Sequence, residues 1–127
     1  MGNLLLVGFG GAAGAIARYC VGVQTLRWFG SGWPYGTLAV NVIGGLLMGA
    51  LVGYLAQRGG ADQERLRLLL GVGVLGGFTT FSAYSLEVAL MLERRQYGAA
   101  GIYALGSTVA AVAALFAGMI LVRRLLA

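Results

Sequence analysis

The sequence has no histidine, no lysine, a single cysteine and only four acidic residues among its 127 positions. Without histidine there is no imidazole to serve as a general base or a metal ligand. The single cysteine, Cys20, excludes an intrachain disulfide and any site built from several cysteines. Because four carboxylates also leave little material for paired acid–base catalysis, the composition indicates that the protein is not an enzyme.

Charged residues of either sign are scarce as well, at 10% of the chain, whereas hydrophobic residues account for 59%. The 23 glycines come on top of that hydrophobic fraction. Soluble domains carry about 25% charged residues, so too few charges remain here to cover a surface that faces water. The composition therefore predicts an integral membrane protein. We interpret the net charge of +5 as arginines at loops and helix ends, not as a nucleic-acid-binding surface.

Four stretches of the chain are long and apolar enough to cross a bilayer, which takes about 20 residues. They lie at residues 4–26, 35–57, 66–92 and 97–122 and are joined by short connections. We therefore expect residues 1–127 to form one all-α, multi-pass membrane domain with both termini on the same side. The first stretch has no basic segment before its apolar run, so we interpret it as a span and not as a cleaved signal peptide.

Two features of the spans concern how they insert and pack. Arginines divide five to three between the two sides, with Arg18 inside the first span, and such a weak bias is compatible with insertion in both orientations or in one. Glycines recur every fourth residue in the second span, at Gly45, Gly49 and Gly53, and so share one helix face. Small residues on one face predict close helix packing in lipid.

The third span contains a segment that is a poor helix centre, at residues 76–82. Its sequence is GGFTTFS, in which adjacent glycines precede two β-branched threonines. A helix break inside the membrane leaves backbone groups unpaired, which is tolerated only where they face protein, water or an ion. Residues 76–80 are therefore a candidate ion site, and the alternative is a flexible but continuous helix.

Two charged residues fall inside the predicted spans, where a charge is costly unless it has a function or a partner. Arg18 in the first span either contributes to a site or extends its side chain to the nearer interface. Glu87 is the only acidic residue near the middle of a span. Tyr103 and Ser107 lie four residues apart on the fourth span, and we expect one of their hydroxyls to donate to Glu87.

Polar and aromatic side chains in the spans are suited to an anion. Thr37 and Asn41 share a face of the second span, and the Asn41 amide either binds a ligand or bridges two helices. Phe78, Phe81 and Tyr84 step by three, so we expect them on one broad face with ring edges that carry partial positive charge. A small, hydrated anion must recover its lost hydration from such a wall. The side-chain donors are Asn41, Thr80, Ser82, Tyr103 and Ser107.

Three motifs together resemble the Fluc (CrcB) family of fluoride channels: residues 76–82, residues 36–41 with GTLAVN, and residues 10–19 with GGAAGAIARY. The match covers nearly the whole chain. It implies an antiparallel, dual-topology homodimer with a broken third helix, two fluoride pores and one structural sodium ion at the dimer centre. It also implies passive fluoride export across the bacterial inner membrane, with neither nucleic acid nor nucleotide as a partner; a phosphate-binding GxxxxGK[ST] loop is absent.

The resemblance also implies roles for individual residues. The backbone carbonyls of Gly76 and Thr79 fall on the sodium-binding positions, and Asn41 and Phe81 fall on pore positions. Tyr84 stands where the family has a second pore phenylalanine, so its hydroxyl is an alternative to a ring edge as the group that faces the ion. The remaining pore residues are Phe78, Thr80, Ser82, Tyr103 and Ser107, and the central structural residues are Arg18, Thr37 and Glu87.

One departure from the family concerns its polar track on the fourth helix. Tyr103 and Ser107 match the start of that track. The next step, four residues further on, is Ala111, so the track is shortened in this chain.

Two other functions fit parts of the sequence. A small, dual-topology, proton-coupled multidrug antiporter has the same size, span count and weak charge bias, but it needs a titratable carboxylate within the membrane. Glu87 is the only candidate for that role, and Arg18 occupies the first span in place of an acid. A scaffold without transport activity accounts for the glycine stripes but leaves Arg18, Asn41 and residues 76–80 unexplained.

Overall fold

The computed structural model describes residues 1–58, 60 and 62–127, which form helices joined by short turns and extended segments, with no strand among them. Gly59 and Ala61, which the prediction of one domain includes, lie outside the described residues. Four helices among the described residues are long and apolar enough to cross a membrane, which confirms the predicted all-helical fold with four spans. The elements are α1 (Gly2–Phe29), α2 (Tyr35–Gln57), α3 (Asp62–Leu66), a π-helical segment (Arg67–Leu75), α4 (Gly76–Phe78), α5 (Phe81–Glu93) and α6 (Tyr97–Leu126).

α2 has the bounds predicted for the second span, and the other three membrane-crossing units extend beyond their apolar stretches because hydropathy marks only the part of a helix that lipid surrounds. α1 ends at Gly30, whose φ of 76° lies in the left-handed region and whose N–H donates to the Leu26 carbonyl at 2.9 Å. Pro34, which has no N–H to lose, directly precedes α2. Between α5 and α6 the chain reverses at Arg95, which has a φ of 60°.

α2 and α6 pack backbone to backbone along the predicted glycine stripe. A methyl group at Gly45 would lie 2.7 Å from the Ala111 carbonyl oxygen, and one at Gly53 would lie 3.1 Å from that of Met119. Between them, a methyl group at Gly49 would collide with the Leu115 backbone. The contact confirms that this stripe is a helix-packing surface.

α1 packs in the same manner against the π-helical segment and α4. A methyl group at Gly10 would lie 2.5 Å from the Leu69 carbonyl oxygen, and one at Gly77 would lie 2.5 Å from that of Gly11. Gly14 faces the backbone of Val74. These contacts bring α1 against the start of the GGFTTFS segment, so α1 and α2 enclose that segment from two sides.

The outer surface of the helices is apolar, as expected for contact with lipid. Few large side chains are fully buried in the single chain, and Tyr103 and Val40 are the largest of these among the described residues. Large aliphatic and aromatic side chains instead cover the exterior, among them Leu4, Phe9, Ile16, Ile102 and Leu125.

Gly49→Ala is expected to lower the free energy of unfolding by about 1–3 kcal/mol, since its methyl group must displace the Leu115 backbone. Thermal unfolding in detergent, followed by gel filtration, measures the change. Gly8→Ala is the matched control, because Gly8 on α1 has open space where the methyl group would go. Equal unfolding temperatures for the two variants would contradict the close packing of α2 on α6.

Candidate functional site

The helical chain is interrupted at Thr79 and Thr80, between α4 and α5. Both residues are extended, with φ and ψ of −83° and 159° at Thr79 and of −150° and 120° at Thr80. Their side chains close the two helix ends: the Thr79 hydroxyl donates to the Leu75 carbonyl at 2.9 Å, and the Thr80 hydroxyl accepts the Ala83 N–H at 3.2 Å. β-branched residues favour extended backbone, and a threonine oxygen is a good N-cap, so the local sequence suits this geometry.

Asn41 on α2 binds the backbone of Thr80 through two hydrogen bonds. The Asn41 Nδ2 donates to the Thr80 carbonyl at 3.0 Å, and the Thr80 N–H donates to Asn41 Oδ1 at 2.8 Å. The amide side chain thus supplies both partners that Thr80 would have found in a helix. An asparagine amide has two N–H donors. The bond to the Thr80 carbonyl uses one of them, so the second N–H is not needed for that bond.

Two backbone N–H groups at the interruption donate to side chains and not to the carbonyls that they would meet in a continuous helix. In a continuous α-helix the N–H groups of Thr80 and Ala83 would donate to the carbonyls of Gly76 and Thr79. Here the first donates to Asn41 and the second to the Thr80 hydroxyl. The carbonyls of Gly76 and Thr79 therefore lose their helical donors, and carbonyl oxygens are the ligands that hard cations prefer.

Arg18 on α1 forms a hydrogen bond within the protein. Its Nε donates to the Gly77 carbonyl at 3.1 Å, on the segment that precedes the interruption. Arg18 also lines a cavity of about 330 Å³, together with Thr37, Thr80 and Glu87. The cavity therefore brings a guanidinium group to the same side of the interruption as the Glu87 carboxyl group.

Glu87 accepts hydrogen bonds from two helices. The Tyr103 hydroxyl donates to its Oε1 at 3.0 Å, so of the two alternatives that the sequence left open, Tyr103 and not Ser107 is the donor. The Thr37 hydroxyl donates to Oε2, also at 3.0 Å. Spacing alone associates Thr37 with Asn41 on its own helix and gives no signal for a partner 50 residues away.

A groove of about 380 Å³ opens on the other side of the interruption, between α2, α5 and α6. Phe81 lies at the edge of the groove and is 80% exposed. The Tyr84 ring stacks on the Phe81 ring, and the two ring centroids are 5.4 Å apart. The groove therefore combines aromatic rings with amide and hydroxyl groups. Its polar and aromatic lining consists of Asn41, Thr80, Phe81, Tyr84, Ser107 and Thr108, with Thr79 at its floor.

Other predicted site residues lie elsewhere. Phe78 is only 8% exposed and faces Gly44 of α2, so it does not share a face with Phe81 as the spacing predicted. The two extended residues between them change the helical phase, and helical spacing does not carry across the interruption. Tyr103, 2% exposed, lies with Glu87 and not in the groove. The exposed Ser82 hydroxyl is 3.3 Å from that of Thr80.

Tyr84 uses its hydroxyl within the protein. It donates to the Ala104 carbonyl of α6 at 2.9 Å and lies 3.2 Å from the Thr108 hydroxyl. Thr108 is not among the predicted site residues. Its position beside Ser107 was the available signal, but the contact with Tyr84 depends on how α5 and α6 face each other.

These features define a multi-pass helical membrane protein with a polar interruption in its third membrane-crossing unit. A family model described as CrcB-like protein, Camphor Resistance (CrcB), matches residues 5–119, and the chain belongs to this family.

Curated relatives match over the full length of the chain. A protein of Phenylobacterium zucineum is 72% identical over 127 residues, which is all of both chains. One of Caulobacter sp. strain K31 is 62% identical over 98% of both, and one of Caulobacter vibrioides is 57% identical over all of both. Each of the three is named a fluoride-specific ion channel FluC.

Asn41→Asp is expected to lower the free energy of unfolding by about 1–3 kcal/mol, since it replaces the donor to the Thr80 carbonyl with an oxygen. Thermal unfolding in detergent measures the change. Asn3→Asp on the exposed start of α1 controls for the added charge. Unfolding of Asn41→Asp at the temperature of the Asn3→Asp control would contradict a structural role for the Asn41–Thr80 bonds.

Proposed function

We propose that this chain is a passive, fluoride-selective ion channel that exports cytoplasmic fluoride. The observation that carries the proposal is the full-length similarity to relatives named fluoride-specific ion channels, at up to 72% identity. Fluoride moves down its electrochemical gradient, and neither nucleotide hydrolysis nor another enzymatic step is part of the proposal. The family and its full-length match place the protein in a membrane, and we propose the bacterial inner membrane.

The groove beside the interruption supplies the chemistry that a fluoride pathway needs. Fluoride is small and strongly hydrated, so the protein must replace the water that the ion gives up. Asn41 and Ser107 contribute N–H and O–H donors there, and Phe81 contributes a ring whose edge carries partial positive charge. In this proposal the ion passes the exposed Phe81 ring and these donors.

We further propose that the channel is an antiparallel homodimer assembled from chains inserted in both orientations, with one fluoride pathway in each subunit. The exposed Phe81 ring and the open groove support this proposal, since a second copy would cover them and shield the ion from lipid. The weak arginine bias, five to three, is compatible with dual insertion.

The carbonyls of Gly76 and Thr79 are the proposed ligands of a structural sodium ion. The N–H groups that would pair with them in a helix donate to Asn41 and Thr80 instead, which leaves the two oxygens without their helical donors. An antiparallel dimer axis at this point would bring the same two oxygens from both subunits together, and hard cations take several such ligands. The ion, when bound, would neutralise these carbonyl dipoles and join the two interrupted helices.

A proton-coupled antiporter is the less favoured function. Such a carrier needs a carboxylate that exchanges protons with its substrate, and Glu87 is held by the hydroxyls of Thr37 and Tyr103. The relatives' names also do not indicate that activity.

Ion efflux from liposomes that contain the purified protein tests the proposed function. A potassium gradient with valinomycin clamps the voltage, and matched samples carry fluoride or chloride. We expect fast fluoride efflux and no chloride efflux. Absence of both from a folded protein would overturn the proposal, and equal efflux of both would overturn its selectivity.

Phe81→Ile is expected to reduce fluoride efflux at least about tenfold, because an aliphatic side chain has no electropositive edge for the ion. Phe9→Ile is the matched control, since Phe9 is an exposed aromatic residue on α1, away from the groove. Gel filtration verifies that both variants keep the elution volume of the parent protein. Undiminished efflux in Phe81→Ile would remove Phe81 from the pathway.

Glu87→Gln separates the two transport functions. The amide has nearly the size of the carboxylate and still offers an oxygen to the Thr37 or Tyr103 hydroxyl. A channel should therefore keep voltage-driven fluoride efflux, whereas an antiporter loses its proton-binding group. Fluoride efflux and proton-driven uptake of a cationic dye are measured on the same liposomes. Dye uptake by the parent protein that Glu87→Gln abolishes would favour the antiporter.

A further inference from the structure

The Ala104 carbonyl of α6 has more hydrogen-bond donors than it can accept. Because α6 is continuous, this carbonyl accepts the backbone N–H of Thr108. The Thr108 hydroxyl also reaches it, at 2.8 Å, and so does the Tyr84 hydroxyl, at 2.9 Å. A carbonyl oxygen has two lone pairs. Three donors therefore compete for two positions, and one hydroxyl can leave without exposing an unpaired carbonyl.

Thr108 is the hydroxyl that is free to leave. It is exposed, it lines the groove, and rotation about a single bond turns its O–H from the Ala104 carbonyl into the groove. Tyr84 is held on two faces, since its ring lies 5.4 Å from the Phe81 ring and 5.6 Å from the Tyr103 ring. The tyrosine therefore keeps its place while the threonine rotates.

We propose that Thr108 donates its hydroxyl proton to fluoride in the groove and that Tyr84 is the positioning residue that makes this donation possible. The inference rests on the proposed fluoride function and adds two residue roles to it. With Tyr84 on the Ala104 carbonyl, Thr108 no longer has to bind back to its own helix, as threonines inside helices commonly do. The Tyr84 and Thr108 hydroxyl oxygens are 3.2 Å apart, so both hydroxyls lie at the same carbonyl.

The pair supplies a second hydroxyl on the α6 side of the groove, beside that of Ser107. Ser107 and Ala111 both line the groove one helical turn apart, and Ala111 carries only a methyl group. Thr108 lies between them in sequence and also faces the groove. Thr108 thus adds a hydroxyl to the groove next to that of Ser107, about one helical turn before the Ala111 methyl group.

Thr108→Val removes the hydroxyl and keeps the shape of the side chain. Fluoride efflux from liposomes should fall about tenfold, the effect of about 1.4 kcal/mol on a barrier. Thr108→Ser retains the hydroxyl and should keep efflux within about twofold of the parent protein, well inside the effect of one hydrogen bond. Equal efflux in the parent protein and Thr108→Val would overturn the role of Thr108.

Tyr84→Phe tests the positioning role. It should also lower efflux about tenfold, since the Thr108 hydroxyl then remains on the Ala104 carbonyl. In a protein that already carries Thr108→Val, Tyr84→Phe should not lower fluoride efflux further, because the Thr108 hydroxyl that Tyr84 would release is absent. If Tyr84→Phe acted only by disturbing the structure, its effect on efflux and that of Thr108→Val would multiply in the double variant. That result would overturn the positioning role of Tyr84.

Two matched variants and the parent protein complete the design. Tyr97→Phe and Ser85→Ala each remove an exposed hydroxyl outside the groove and should conduct as the parent does. Absence of fluoride efflux from the folded parent protein would overturn the proposed function, and this inference with it. Normal efflux from the parent combined with normal efflux from Thr108→Val would overturn this inference alone.

Discussion

The two hydrogen bonds between the Asn41 side chain and the Thr80 backbone are the interaction on which the rest of the site depends. An interrupted helix inside a membrane exposes backbone groups, each of which costs several kcal/mol without a partner. Asn41 satisfies both groups of Thr80, and the Thr80 hydroxyl begins the next helix. The interruption is therefore a stable structure, in which two carbonyls lack their helical donors and a groove opens beside them.

Close helix packing is what allows this arrangement. Gly45 and Gly49 bring α2 against α6, and Gly10 and Gly14 bring α1 against the segment before the interruption. At these distances short side chains reach across: Asn41 spans from one helix to another, as do Thr37, Tyr84 and Tyr103. The glycines thus bring the helices close enough for these polar side chains to pair, and the lipid-exposed helices enclose the resulting hydrogen bonds.

Much of the architecture could be predicted from the sequence, because apolar stretches and glycine periodicity report directly on spans and packing faces. The hydrogen bond from Tyr103 to Glu87 could be predicted as well, since a lone carboxylate in a span needs a donor. The Thr37–Glu87 and Arg18–Gly77 bonds could not, because they join distant segments and depend on how the helices are rotated. The face of Phe78 was mispredicted for a related reason: periodicity fails across an interruption.

The most direct test of the account is an experimental structure of the purified protein in lipid with sodium present. We expect extended backbone at Thr79 and Thr80, with the Asn41 side-chain amide bound to both the N–H and the carbonyl of Thr80. We also expect the carbonyls of Gly76 and Thr79, which lack their helical donors, to bind a cation. An uninterrupted helix through residues 76–93, with Asn41 directed elsewhere, would contradict the central claim.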